Sequence, residues 1–324
     1  MEIFRGAIFH TPRNPFREAG TLTSFSDGGL AVADGCVAAC GDYAEVRRAH
    51  PEAEVHDLRG GFVLPGFADT HVHFPQVRVM GSLGEPLLDW LAHRALPEEA
   101  KMADAAYARE VAGEFLRGLA SHGTTSALVF GAHFEAAMEM FFTRAGLSGL
   151  RIASGLVVSD RGLRPELHIT ADEAYARSTA LIRRFHGVGR VRYAVTPRFA
   201  VSASEAMLEA CQTLLAENPG VMATTHINEN PAEIAEVARL FPWSRDYLAV
   251  YEKYGLTDRR SVLAHNVHAS DDAIARLAAG GRRWRIVRAA TRRWAAECSR
   301  CGVTWRPAYA WRSAPMWARG RDSE

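Results

Sequence analysis

Two histidines, His71 and His73, are the residues whose type and spacing most directly indicate chemistry. They follow the apolar stretch Leu64–Phe67 in the segment LPGFADTHVHFPQ. Side chains at i and i+2 of a strand point to the same face, so both imidazoles would lie there together with Asp69. Neutral imidazoles bind divalent transition metals well, and the alternative is a pair of satisfied core histidines. The spacing predicts a metal site at the C-terminal end of a strand.

Two later segments repeat this pattern of a histidine that ends an apolar or β-branched run. His226 ends the run that starts at Ala223, and the carboxylate of Glu229 follows three residues later. His265 ends the run that starts at Ser261. Parallel strands separated by helices bring their C-terminal ends to one mouth of a barrel. The three segments together therefore predict one site built from distant parts of the chain.

The pattern of apolar residues predicts the elements that hold this site. Six barrel strands are expected at 62–67, 124–130, 151–158, 191–196, 221–226 and 261–265. Apolar residues at three-to-four spacing predict covering helices at 103–119, 171–185, 204–216 and 231–240. Short alternating runs broken by glycine and proline predict part of a small β domain. We expect that β domain over 1–62, and about six of the eight βα units of a barrel over 63–280.

The residues around these histidines resemble the amidohydrolase superfamily, and within it the guanine deaminase family. The resemblance rests on Pro65–Gln76, Thr196–Phe199, His226–Asn230 and Ala264–His265, and it extends from about the N-terminus to Gly280. It implies an α/β fold, an incomplete (β/α)8 TIM-like metal-dependent hydrolase barrel with a small N-terminal β domain. It also implies one zinc ion per subunit, hydrolytic deamination of guanine to xanthine and ammonia in purine catabolism, and a homodimer. The implied partner is a small purine rather than nucleic acid or a membrane.

The resemblance also assigns roles to the site residues. His71, His73 and His226 are expected to be metal ligands. His265 is expected to complete the ligand shell or to polarise the attacking water, and Glu229 is expected to carry a proton to the departing amine. Zinc held by such ligands lowers the pKa of a bound water to near neutrality, which favours hydrolysis. Glu229 has a simpler alternative, as a cap of the helix that follows it.

Three further residues are predicted to bind the substrate. The guanidinium of Arg198 suits a purine carbonyl oxygen, and the amide of Gln76 offers both a donor and an acceptor to an amide-like purine edge. Phe199 can stack on the ring. The alternatives are an ordinary salt bridge for Arg198 and simple packing for Phe199. The substrate itself also has alternatives within the superfamily, namely another aminopurine, a pterin or a chlorotriazine ring.

The composition excludes several other classes of protein. With 324 residues, 48% of them hydrophobic, the chain can bury a large core. No apolar run approaches the length of a membrane span, and the N-terminus lacks the layout of a signal peptide. Five cysteines, at 36, 40, 211, 298 and 301, are odd in number and unevenly spread, so no disulfide framework is expected. These observations predict a cytoplasmic protein.

The segment 281–324 differs sharply from the rest of the chain. It holds eleven arginines, three carboxylates, five of the seven tryptophans and no leucine, a balance of +8 against +1 for the whole chain. One interpretation is a basic tail that binds nucleic acid. We favour an aberrant segment translated out of frame from a GC-rich gene, because the chain has 36 arginines and only two lysines. In that interpretation the spacing of Cys298 and Cys301 is accidental.

The out-of-frame interpretation carries a functional expectation. Shifting the reading frame by one base from Arg283 onward permits codons for peptides that resemble the seventh and eighth barrel strands of the family, including the aspartate that completes its metal site. The chain as written would lack both strands and that ligand, so we expect it to be inactive or nearly so. The alternative to an enzyme is therefore a non-catalytic, misterminated fragment.

Overall fold

The computed structural model describes residues 1–15, 18–82 and 84–279 of the chain. These residues form two compact units, one comprising Met1–Gly66 and one that begins at Phe67. Within the described ranges, no helix is both long enough and apolar enough to cross a membrane. The segment 281–324, which we interpret as out of frame, lies outside the described residues.

The first unit is a four-stranded sheet with one helix. Its elements are β1 (Glu2–His10), β2 (Thr23–Ala33), β3 (Cys36–Asp42), α1 (Tyr43–Ala49) and β4 (Glu54–Val63). The strand order is β3-β2-β1-β4, in which β1 pairs antiparallel with β2 and parallel with β4. Asp34 and Gly35 both have positive φ, at 50° and 74°, as a two-residue hairpin between β2 and β3 requires. Ile3, Ala31 and Val46 form part of the small core.

The second unit contains a parallel sheet that curves into most of a barrel. Its strands are β5 (Phe67–His73), β6 (Thr124–Phe130), β7 (Arg151–Gly155), β8 (Val157–Val158), β9 (Val191–Pro197), β10 (Met222–Ile227) and β11 (Ser261–His265). The order is β11-β10-β9-β7-β6-β5, with β8 paired to β9, and every pairing is parallel. This arrangement and the small N-terminal sheet confirm the predicted α/β fold class.

The helices of the second unit lie between the strands in sequence. They are α2 (Leu87–Trp90), α3 (Leu96–Ala100), α4 (Ala105–Ser121), α5 (Glu135–Leu147), α6 (Ala171–Phe185), α7 (Glu205–Glu217), α8 (Pro231–Leu240), α9 (Tyr247–Lys253) and α10 (Asp271–Ala279). A π-helical turn, Leu91–Ala95, joins α2 to α3. The bounds of α6 and α8 match the predicted ones, and those of α4 and α7 differ by one or two residues. Capping boxes begin both matched helices, at Thr170 and Asn230.

The first barrel strand lies later in the chain than the predicted range 62–67. Residues 62 and 63 end β4 of the first unit, and the barrel strand runs over Phe67–His73. Pro65 has no backbone N–H to donate to a ladder, and Gly66 weakens strand structure, so the apolar run is interrupted there. His71 and His73 therefore lie at the C-terminal end of β5, within its last three residues.

Close backbone contact between β7 and β9 depends on one glycine. A Cβ atom added to Gly155 would lie 1.7 Å from the carbonyl oxygen of Ala194. The close approach holds β7 against β9, the strand that leads to Arg198.

Candidate active site

Three imidazoles converge at the C-terminal ends of β5 and β10. The Nε2 atom of His73 lies 3.3 Å from Nε2 of His71 and 3.1 Å from Nε2 of His226, although His226 is 153 residues further along the chain. Each of the three rings contributes one nitrogen atom, and these three nitrogen atoms lie within 4.8 Å of one another. His71 and His226 are buried. The barrel therefore brings together the three histidines that the sequence predicted as metal ligands.

The chemistry of this histidine group fits a divalent metal. Burial lowers the pKa of His73 to about 3 and holds the pKa values of His71 and His226 well below the ordinary value, so the rings are neutral at physiological pH. Nδ1 of His226 lies 2.7 Å from the carbonyl oxygen of Arg198. Since a carbonyl can only accept, Nδ1 carries the proton and Nε2 keeps its lone pair. Three neutral imidazoles form a donor set typical of zinc.

Asp69 and His265 lie beside this group. The carboxylate of Asp69 accepts the backbone N–H of His71 at 3.0 Å. The ring of His265 lies 5.0 Å from that of His71 and 5.3 Å from that of His226, measured between centroids. Its Nε2 atom is 3.4 Å from Oε2 of Glu229, and burial lowers its pKa to about 4. His265 therefore lies between the three-histidine group and Glu229, and its role as ligand or polarising group stays a prediction.

Glu229 follows β10, and its carboxyl group has the properties of an acid–base catalyst. Its side chain is 10% exposed. Burial, reinforced by the neighbouring Glu233 carboxylate, raises its pKa to about 8. A carboxyl group that titrates near neutrality can both take up and release a proton. The cap of α8 is formed instead by Asn230 and Glu233, which make a reciprocal capping box.

The predicted substrate-binding residues Gln76 and Arg198 meet at a buried carboxylate, Glu99. Nε2 of Gln76 donates to Oε1 of Glu99 at 2.7 Å, and Nη2 of Arg198 donates to the same oxygen at 3.0 Å. Nη1 of Arg198 donates to Oε2. The salt bridge considered for Arg198 is thus present. Phe199 is also buried, and its stacking on a substrate stays a prediction.

Sequence reasoning missed two residues of this cluster, Glu99 and His133. Nε2 of His133 lies 3.3 Å from Oε2 of Glu99, and both side chains are 1% exposed. His133 comes shortly after the apolar strand β6, so the signal that identified His226 was also available there. Glu99 follows another glutamate, Glu98, within α3, and nothing in the local pattern distinguishes the two.

The loops after β10 and β11 are hydrogen-bonded to each other. Asn228, His265 and Asn266 have positive φ values of 50°, 69° and 50°, which are uncommon for residues other than glycine. Nδ2 of Asn228 donates to Oδ1 of Asn266 at 2.8 Å, and the backbone N–H of Asn266 donates to the carbonyl of Ile227 at 2.8 Å. These contacts hold the loop of Glu229 against the loop of His265.

Residues 62–301 match the model of the amidohydrolase family. The chain belongs to the amidohydrolase family. This match runs 21 residues beyond Gly280, where we predicted the resemblance to end. A shorter match, over residues 28–53, is to an imidazolonepropionase-like composite domain of bacteria.

Several relatives of this amidohydrolase are named as guanine deaminases. A probable guanine deaminase of Deinococcus radiodurans is 60% identical over 284 residues, which cover 86% of this chain and 65% of that protein. The structure of E. coli guanine deaminase has a TM-score of 0.84 and 37% identity, covering 88% of this chain and 67% of that one. Guanine deaminase of C. acetobutylicum with bound guanine has a TM-score of 0.81 and 26% identity, covering 88% and 66%. The chain thus spans about 65% of the length of the D. radiodurans relative.

Proposed function

We propose that this site catalyses the hydrolytic deamination of guanine to xanthine and ammonia. The observation that carries the proposal is the convergence of His71, His73 and His226 beside the buried carboxyl group of Glu229. The similarity to guanine deaminases, one of them with guanine in its active site, supports guanine as the substrate. Another aminopurine, a pterin or a triazine is the competing choice.

We propose that the three histidines hold one zinc ion per subunit. Their neutral rings and converging Nε2 atoms support this assignment. Zinc bound there would supply the Lewis acidity that makes water a nucleophile near neutral pH. His265 either completes the ligand shell or polarises the water, and its position 3.4 Å from Glu229 supports a role close to the reacting atoms.

Glu229 moves the proton that the reaction requires. Water adds to the ring carbon that bears the exocyclic amine, so a C–O bond forms and the C–N bond breaks. The amine leaves as ammonia only after it gains a proton, and the carboxyl group of Glu229 takes that proton from the water and delivers it to the nitrogen. Its raised pKa, about 8, suits both halves of this transfer at neutral pH.

Arg198, Gln76 and Phe199 recognise the purine in this proposal. The guanidinium of Arg198 donates to the carbonyl oxygen of guanine, Gln76 pairs with the adjacent ring edge, and Phe199 lies against the ring. A base with a different hydrogen-bonding edge leaves the buried polar groups of Arg198 and Gln76 unpaired, so the site should discriminate strongly in favour of guanine. A homodimer and a cytoplasmic location complete the proposal; the homodimer rests on the family resemblance, and the location rests on the sequence composition.

Two forms of the protein test the proposed function side by side. One is the 324-residue chain, and the other is expressed from a gene shifted by one base from codon 283. Both are reloaded with zinc after treatment with a chelator and are assayed for xanthine formation from guanine. We expect the shifted form to be far more active, because β5 and β11 are the unpaired edges of the described barrel sheet.

Each result of this comparison has a definite meaning. Equal activity in both forms would show that 281–324 is a genuine terminus and that the frame interpretation is wrong. Absence of xanthine in both forms would contradict the proposed function. A higher kcat/KM for adenine, cytosine or an aminopterin than for guanine would overturn the substrate assignment.

A further inference from the structure

The Glu99 carboxylate contacts both polar side chains that the proposed function assigns to guanine. Its Oε1 atom accepts from Gln76 at 2.7 Å and from Arg198 at 3.0 Å, and its Oε2 atom accepts a second bond from Arg198. Oε2 also lies 3.3 Å from Nε2 of His133. The side chains of Glu99 and Arg198 are 1% and 3% exposed. One buried carboxylate therefore connects the two recognition residues.

We propose that Glu99 is a positioning residue that determines specificity for guanine, because it fixes which groups Gln76 and Arg198 present to the purine edge. This proposal rests on the proposed function and deepens it. Glu99 acts through the other two side chains and is not itself placed against the substrate.

The orientation of the Gln76 amide follows from the charge of Glu99. The pKa of Glu99 is held below its ordinary value because Arg198 and His133 outweigh the effect of burial, so the group is a carboxylate and can only accept. Gln76 must therefore turn its NH2 group toward Glu99. The other end of the amide, its carbonyl oxygen, is the group left for a substrate N–H. Without Glu99, the two ends of the amide are nearly interchangeable.

The orientation of Arg198 follows from the same contacts. A guanidinium has five N–H donors in a rigid plane, and one from each terminal nitrogen is directed to Glu99. That bidentate pairing fixes the plane and directs the remaining donors. Together, Arg198 and Gln76 then present a donor beside an acceptor, which matches the O6 and N1–H of guanine. A purine with an unprotonated N1 and no O6 would face the wrong group at both positions.

Variants of Glu99 test this inference in the zinc-loaded form that deaminates guanine in the assay above. A failure of the proposed function is thus seen before any variant is made. The probe is 2-aminopurine, which keeps the reacting amine but lacks O6 and N1–H. Glu99→Gln leaves a single acceptor oxygen, which cannot accept from Gln76 and from both terminal nitrogens of Arg198. We expect the KM for guanine to rise about tenfold or more, kcat to change less, and the preference for guanine over 2-aminopurine to fall about tenfold.

The neighbouring Glu98 offers a matched control. Its side chain is 5% exposed and pairs with Lys101, and its Oε1 accepts from Tyr107, so it touches none of the recognition residues. Glu98→Gln should leave KM and the preference for guanine close to those of the wild type. Equal effects of Glu98→Gln and Glu99→Gln would overturn the proposal, because a general loss of packing in α3 would then explain both.

A second variant separates positioning from charge neutralisation. Glu99→Asp keeps the charge that a buried Arg198 needs, so it should fold with a melting temperature near that of the wild type. Its carboxylate is shorter by one methylene and cannot reach Gln76 and Arg198 together, so KM should still rise and the preference should still fall. A folded Glu99→Asp with the guanine KM and the substrate preference of the wild type would show that Glu99 is only a structural ion-pair partner.

Discussion

Replacing Glu229 with glutamine should stabilise the metal-free protein and, in the form shifted by one base that we expect to deaminate guanine, lower kcat. The carboxyl group is 10% exposed, and burial together with Glu233 raises its pKa from an ordinary 4.5 to about 8. At neutral pH the group must therefore take up a proton when the chain folds. Glutamine has nearly the same size and is always neutral, so it avoids this cost.

The size of the effect follows from the two pKa values of Glu229. The folded state binds the proton more tightly than the unfolded state, so the wild type loses stability as the pH rises from 4.5 toward 8. A pH of 7 lies 2.5 units above the ordinary pKa of 4.5. At about 1.4 kcal/mol per unit, the wild type loses about 3 kcal/mol of folding free energy at that pH. That is a large share of a total stability of about 5–15 kcal/mol.

Urea unfolding in the presence of a chelator measures this difference. Relative to the wild type, Glu229→Gln should gain about 3 kcal/mol at pH 7 and under about 1 kcal/mol at pH 5. Glu236→Gln, a change at a partly exposed carboxylate of α8 that pairs with Arg239, is the matched control and should show no such gain. A gain that is the same at both pH values would refute the reasoning, because a proton-linked term must depend on pH.

Three further outcomes are expected, with kcat, deamination and zinc content measured in the form shifted by one base. Glu229→Gln should lower kcat about a hundredfold while the zinc content stays unchanged, and loss of zinc in this variant would indicate a ligand instead. His226→Ala should abolish both zinc binding, measured by metal analysis, and deamination, so retention of stoichiometric zinc would contradict the three-histidine site. Gly155→Ala places a Cβ atom 1.7 Å from the Ala194 carbonyl and should lower the unfolding free energy by about 3 kcal/mol or more. Gly118→Ala, which meets nothing within 4 Å, should cause no loss, and equal stabilities of the two alanine variants would rule out the close contact.

The features that sequence reasoning predicted well have local causes. The bounds of α6 and α8 were predicted from apolar residues at three-to-four spacing, and in the structure Thr170 and Asn230 cap these two helices. The convergence of His73 and His226 was predicted because a parallel barrel collects the C-terminal ends of its strands at one mouth. Each of these inferences uses a few neighbouring residues and a general rule of architecture.

The features that were missed depend on contacts between distant parts of the chain. Glu98 and Glu99 are adjacent and both buried, yet only Glu99 reaches Arg198, 99 residues away. No periodicity records that choice, because it is made by the long-range contacts of Glu99 with Gln76 and Arg198. The start of β5 was misplaced for a different reason, since an apolar run continues across Pro65 although the strand does not.

The hydrogen bonds between the loops after β10 and β11 have a consequence for redesigning the proposed active site toward another heterocycle. Asn228 and Asn266 each supply a bond that the other loop needs, and both have left-handed backbones. A library that randomises one loop alone would leave groups of the other unsatisfied, and most of its members would lose stability before any gain in turnover became visible. Residues 228–230 and 265–268 therefore form one cassette, to be exchanged or evolved together.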